Sequence, residues 1–220
     1  MTKLKKGKYV KPYVFGRDIK KYQPVVAAKK IIFPYENDFS IADLETELEI
    51  FSELKKKKEK LSGRAIIKDG LKNKTKCWYE YQQVNKNINY NKEYIVYPNV
   101  SYGNNFTLSK GAVIDMTAFL IKSNNKYLLA ILNSNLVAYL MKIWSISRRG
   151  GYLEYKVQYV EKIPIKNISA KEQKPYIDLV DKIFSAKQLG EDSSDYENKI
   201  DELVYKLYGI SKEEQKIIEA

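Results

Sequence analysis

Two apolar helical segments, residues 127–132 and 136–144, are separated only by Asn133-Ser134-Asn135. Asn and Ser favour helix caps, because their short side chains accept hydrogen bonds from unpaired backbone N–H groups. The break therefore reads as one helix ending and a second restarting. No apolar run approaches the roughly 18 residues of a membrane span, so no membrane partner is expected. A hydrophobic fraction of 44% and an aromatic fraction of 13% support a packed core. At 220 residues, the chain has room for one large domain, or a medium domain with an appended subdomain.

The flanking sequence mixes strand-like and helical patterns. Residues 8–15 and 24–35 are dense in Val, Ile, Tyr and Phe, as strands prefer, with a polar turn at 16–22 between them. Ile41, Leu44, Leu48, Phe51, Leu54 and Leu61 step by three, four or seven and predict a helix over 39–61. Ser40 and Asp43 resemble its capping box, and Ser62-Gly63 ends it. Residues 64–76 read as a polar loop. Further strands are expected at 94–100, 112–122 and 152–160, with a glycine-containing turn at 101–105. From Lys171 onward the pattern predicts three amphipathic helices, the second stopped by Gly209. The expected fold class is α+β. A mixed α/β body with a twisted sheet covers 1–166, and a C-terminal helical extension covers 167–220, packing on the body or on a partner domain.

Cys77 is the one cysteine, which excludes an internal disulfide and fits a reducing cytoplasm. With no histidine, histidine-based acid–base schemes and zinc sites are excluded as well. The net charge of +12 is uneven, +16 over residues 1–166 and −4 over 167–220. A basic body is the footprint of a polyanion binder, since neutralising phosphates releases counterions. A second reading is compositional: the chain is rich in Lys, Asn, Ile and Tyr, and four of its 39 basic residues are arginine. The lysines at 55–58 and 60 are either a solvated helix end that complements the helix dipole or a phosphate-contacting edge.

Glycine-rich cofactor loops, Walker-type loops and Gly-x-Ser-x-Gly elbows are absent, and the six prolines are never adjacent. No motif for a cofactor is present. Glu154-Tyr155-Lys156, with Asp115 on an earlier strand, resembles half of a metal-dependent nuclease site, in which carboxylates hold Mg²⁺ and lysine activates water. The acid-x-Lys spacing occurs six times in this lysine-rich chain, so it discriminates little. A nuclease built on Asp115, Glu154 and Lys156 is the alternative from another class; a protein-interaction subunit docking a catalytic chain is a third.

Several segments resemble one family in their order and spacing. They are Pro12-Tyr13-Val14-Phe15-Gly16-Arg17-Asp18-Ile19 with Tyr22, Ile31-Ile32-Phe33-Pro34-Tyr35, Trp78-Tyr79-Glu80, the stretch ending in Tyr97-Pro98-Asn99-Val100, and Tyr127-Leu128-Leu129-Ala130-Ile131-Leu132-Asn133-Ser134. A Gly-Gly loop, Ile163-Pro164-Ile165 and the segment 200–210 follow. Together they resemble the TaqI-like C-terminal specificity domain of type II restriction–modification adenine-N6 DNA methyltransferases. The resemblance implies sequence-specific recognition of double-stranded DNA while a target adenine is flipped into a separate catalytic domain. It also implies that this chain is a specificity fragment or subunit, without catalysis of its own. The partners implied are double-stranded DNA and a methyltransferase catalytic domain or subunit that carries S-adenosylmethionine.

Base edges in the major groove are read chiefly by Arg or Lys on guanine and Asn or Gln on adenine. The candidates are Arg17, Lys20 and Lys21 in the opening loop, Asn85, Lys86 and Asn87 in an Asn/Lys-rich loop, Tyr102, Asn104 and Asn105 at the strand turn, and Arg148, Arg149 and Gly150 beside a flexible glycine pair. Arg17 has a rival role in an ion pair with Asp18. Most of the 19 tyrosines occupy strand or helix-stripe positions and are expected to pack rather than stack on bases.

Overall fold

The computed structural model describes residues 7–220, which divide into two compact units. One consists of the described residues up to Pro12 with Lys29–Asn91; the other consists of Tyr13–Ala28 with Lys92–Ala220. The division does not fall near residue 166, and the C-terminal helices lie within the second unit.

In the first unit, β1 (Val10–Val14) begins and is followed by β2 (Lys29–Ile32), α1 (Leu48–Lys55), α2 (Lys58–Ser62) and α3 (Ala65–Lys72). Tyr9, Ala42, Leu44, Ile50 and Phe51 form its core, with Trp78 and Tyr79 packed against them. The helix predicted over 39–61 starts only at Leu48. Upstream, Asp38 accepts from the Ser40 N–H at 2.9 Å and Asp43 from the Glu45 N–H at 3.0 Å, while Ile41 pairs with Tyr35 in a β-bridge. Short carboxylates thus take the backbone donors that an earlier helix would have used. Residues 65–72, expected as loop, are helical. Arg64 fastens this helix by donating to the carbonyls of Leu61 (2.8 Å) and Glu80 (2.7 Å), and Ile67 is fully buried.

The second unit contains β3 (Glu93–Pro98), β4 (Val100–Ser101), β5 (Thr107–Lys110), β6 (Val113–Ile114) and β7 (Ala118–Ile121). β3 is central, antiparallel to β5 and β7, with Ile95 opposite Leu108 and Ile121. Its alternate residues face two cores. Ile95 and Tyr97 enter the main one; Val96 joins Val14, Ile19 and Ala118 in a smaller one. Burial on both faces explains its unbroken apolar run. The strand expected at 112–122 is split, because Asp115 accepts from the Thr117 N–H at 3.0 Å and turns the chain. Its first piece pairs parallel with the end of β1, Tyr13 with Val113 and Val14 with Ile114.

The helices α4 (Lys126–Leu132) and α5 (Asn135–Trp144) form as the break predicts, capped by Asn125 and Ser134 side chains. They bend by 55° at the break, and α4 is buried nearly all round. Among the described residues no single helix is long and apolar enough to cross a membrane. β8 (Ser147–Arg148) and β9 (Tyr152–Glu154) make a hairpin whose second strand also pairs with β4. The strand expected at 152–160 ends there, and α6 (Val157–Val160) follows. The three tail helices are α7 (Ala170–Leu189), α8 (Ser194–Tyr208) and α9 (Lys212–Glu219). Gly190 (φ 75°) and Gly209 (φ 74°) stop the first two in the left-handed conformation. Val180, Ile183, Ile200 and Val204 place the tail in the main core with Leu129 and Ile131. The architecture is α+β.

A buried polar knot joins loop to helices. Asn133 accepts from the Phe106 N–H (3.1 Å) and donates to the Phe106 carbonyl (2.9 Å), imitating a strand partner. Asn104 donates to the Ser134 carbonyl at 2.9 Å and accepts from the Tyr155 hydroxyl at 2.8 Å. Asp201 accepts from the Asn135 N–H at 2.7 Å, at the start of α5. Asn133→Ala leaves the Phe106 N–H buried without a partner and is expected to cost about 2 kcal/mol, seen as a lower urea midpoint at unchanged slope.

Burial pushes the Asp201 carboxyl up to about 6. Between its ordinary value and 6 the folded chain binds more protons than the unfolded one, so stability rises as pH falls through that window. The penalty of about 2–3 kcal/mol is present in full above pH 6. Urea midpoints at pH 7 and pH 5 are expected to differ in this direction, and Asp201→Asn is expected to flatten the difference.

Candidate nucleic-acid interface

The motif Phe15-Gly16-Arg17-Asp18-Ile19 opens the second unit's surface cleft, and its residues have separable jobs. Asp18 accepts from the Phe15 N–H at 3.0 Å and closes a tight helical turn. Gly16 lies against the Thr117 carbonyl, where an added Cβ would stand 2.4 Å from the oxygen. Only glycine allows that approach. Ile19 is buried. Arg17 is exposed, with its guanidinium 4.9 Å from the centre of the Phe15 ring, a cation–π contact in place of the ion pair with Asp18.

Arg17 and Lys20 line a cleft of about 370 Å³ together with Asn99, Ser101, Tyr102, Asn105, Thr117 and Tyr152. Tyr102 is 71% exposed and Tyr152 47%, and their rings meet edge to face at 6.0 Å. The hairpin loop Arg149-Gly150-Gly151 adjoins this pair. Both glycines are left-handed, at φ 81° and 77°, and a Cβ on Gly151 would stand 3.2 Å from the Tyr102 ring. Arg149 is exposed at this tip, and neither its side chain nor that of Lys20 makes an ion pair among the described residues.

Other predicted site residues are occupied. Asn104 is buried with both ends of its amide bonded, so it holds the loop and offers no edge to a base. Asn105 accepts from the Lys21 N–H at 2.9 Å and donates to Ser101 at 2.8 Å. Lys21 pairs with Glu197 of α8 at 2.9 Å. Arg148 donates from Nε to Glu154 at 2.7 Å, and Lys156 stands 2.8 Å from the other carboxylate oxygen. Lys156 and Arg148 hold this carboxyl, 1% exposed, below its ordinary pKa. Asn85, Lys86 and Asn87 belong to the first unit, where Lys86 and Asn87 line a different cleft.

The residues of the alternative nuclease reading are likewise committed. Asp115 accepts from the Tyr13 hydroxyl at 2.6 Å and from Thr117, and Glu154 faces two cations. Among the described residues no three acidic, Cys or His side chains gather to hold a metal. Sequence reasoning missed Tyr152, whose signal was an aromatic residue directly after a glycine pair.

Gly151→Ala is expected to cost about 1–2 kcal/mol through its left-handed backbone and to displace the Tyr102 ring. Thermal melting and the Tyr102 ring resonances check both effects.

Residues 11–165 match the TaqI-like C-terminal specificity domain family. Among solved structures, the Type IIL restriction–modification enzyme MmeI, determined in complex with DNA, is similar with a TM-score of 0.61 at 15% identity. The match covers 93% of this chain and 28% of that enzyme, so the chain spans less than a third of its relative.

Proposed function

Because the chain belongs to the TaqI-like C-terminal specificity domain family, we propose that it recognises double-stranded DNA for a restriction–modification adenine-N6 methyltransferase. It acts by binding; the chemistry and the S-adenosylmethionine belong to a catalytic domain or subunit that it serves. The observation that carries this reading is the second unit's cleft, where Arg17, Lys20 and Tyr102 stand exposed on the rim.

The exposed cations Arg17, Lys20 and Arg149 are placed at the DNA, contacting phosphates or guanine edges. Tyr102 and Tyr152 offer amphipathic contact area that loses little entropy on binding. Lys21, Asn104, Asn105 and Arg148 hold the loops that carry them. Gly150 gives the hairpin tip its tight turn, so that Arg149 can approach a phosphate closely.

Fluorescence anisotropy against mixed-sequence duplex DNA tests this directly. A dissociation constant of roughly 10⁻⁴–10⁻⁶ M is expected at physiological salt, tightening steeply as salt falls. Arg149→Ala is expected to reduce the slope of log K against log salt by about 0.9, one phosphate's share, without loss of stability. Arg148→Ala is expected instead to lower the melting temperature, because it removes one of the two cations neutralising the buried Glu154. Absence of binding at low salt would sink the proposal.

A further inference from the structure

The first unit has its own cleft, of about 410 Å³, within the usual range of about 300–1,000 Å³ for small-ligand sites. Its wall is aromatic: Tyr90 lies 4.6 Å from Phe33 and 6.0 Å from Phe39 by ring centres. Phe33 is buried and backs the wall, whereas Phe39 and Tyr90 are partly exposed. Phe39 holds φ at 64°, a conformation that residues with a Cβ rarely adopt. Strain of this kind persists where the surroundings over-determine it and gathers at ligand clamps.

The cations in the cleft differ in what they face. Lys8 pairs with Glu36 at 2.8 Å, and that carboxylate also accepts from the Tyr9 hydroxyl at 2.5 Å. The one acidic group among the described residues that line the cleft is therefore spent. Lys11 has no carboxylate partner among the described residues. Its ammonium donates to the Asn91 side-chain carbonyl at 3.1 Å and lies 5.7 Å from the Phe33 ring centre. Burial without a counter-ion pulls its pKa below the ordinary lysine value. An anion at this point would restore what burial removed. Lys86 adds an exposed second cation on the same rim.

We propose that this cleft binds one unpaired nucleotide, its phosphate on Lys11 and Lys86 and its base against Tyr90 and Phe39. Aromatic faces accept any base by stacking, while lysines track the phosphate. The inference rests on the DNA-binding reading above only for DNA as the nucleotide's source.

The full chain is titrated with a blunt duplex and with the same duplex carrying a short single-stranded overhang. The overhang is expected to tighten binding about tenfold, in the range of one stacked base. Lys11→Gln and Phe39→Gly are expected to abolish that gain while leaving blunt-duplex affinity unchanged. Phe39→Gly removes the ring and relieves the left-handed backbone, so it keeps the fold while losing the site. Competition by dAMP would show that the cleft takes free nucleotides as well; no competition would confine it to a nucleotide within a strand. No gain from the overhang, or a gain that survives both substitutions, overturns the proposal. Blunt duplex bound without that gain leaves the duplex-recognition reading standing alone. Overhang DNA bound while blunt duplex is not leaves only the nucleotide site.

Discussion

The pairing of the Asn133 amide with the backbone of Phe106 is the constraint on which the second unit depends. An amide side chain offers one donor and one acceptor side by side, as a strand residue does, so it can close a loop without adding a strand. Here it ties the loop before β5 to the break between α4 and α5. The Phe106 carbonyl also accepts from the Tyr22 N–H at 3.2 Å, which draws in the opening loop. Asn104 and Lys21 extend the same attachment toward Tyr155 and toward α8. Two loops, two core helices and the tail are therefore fixed by one connected polar network. Such a network rigidifies only when its members are satisfied.

This explains which parts of the fold were legible in the sequence. The α4–α5 pair and the tail helices α7 and α8 announced themselves, because each carries an apolar stripe and is bounded by residues that cap or stop a helix, Asn133 and Ser134 at the break and Gly190 and Gly209 after the tail helices. β3 was legible for the opposite reason, an unbroken apolar run that both of its faces require. The failures lie where local hydrogen bonds outweigh periodicity. Asp38 and Asp43 delay α1, and Asp115 cuts a strand in two, each through a carboxylate that captures a nearby N–H. α3 was missed because a helix of eight residues with Ile67 and Gly70 buried has too short a stripe to show a period.

The candidate site was legible in its residue types but not in their assignments. Charge and amide chemistry marked the opening loop and the strand turn that line the cleft, yet the same chemistry builds the scaffold. Asn104, Asn105, Lys21 and Arg148 look like readers of nucleic acid in one dimension and are occupied in three. Nothing local separates Arg148 from Arg149. The distinction arises because strand pairing sets Arg148 opposite Tyr152, two residues from Glu154, while Arg149 falls on the turn. Only the hairpin register decides which arginine the fold consumes.

Under the proposed function, that register lets the surface change what it contacts without losing its shape. The buried Glu154 is neutralised from two sides, and the hairpin's position follows from this charge balance and from pairing with β4. Gly150 and Gly151 then turn outside the network, so a side chain at position 149 can be exchanged without leaving a buried group unpaired. The same holds for Arg17, whose neighbours Asp18 and Gly16 fix the turn beneath it. Side chains the fold consumes and side chains it leaves exposed are thus adjacent in the chain. A surface that discriminates among similar duplexes needs this arrangement, because a misplaced donor forfeits the difference between bases that a placed one would read.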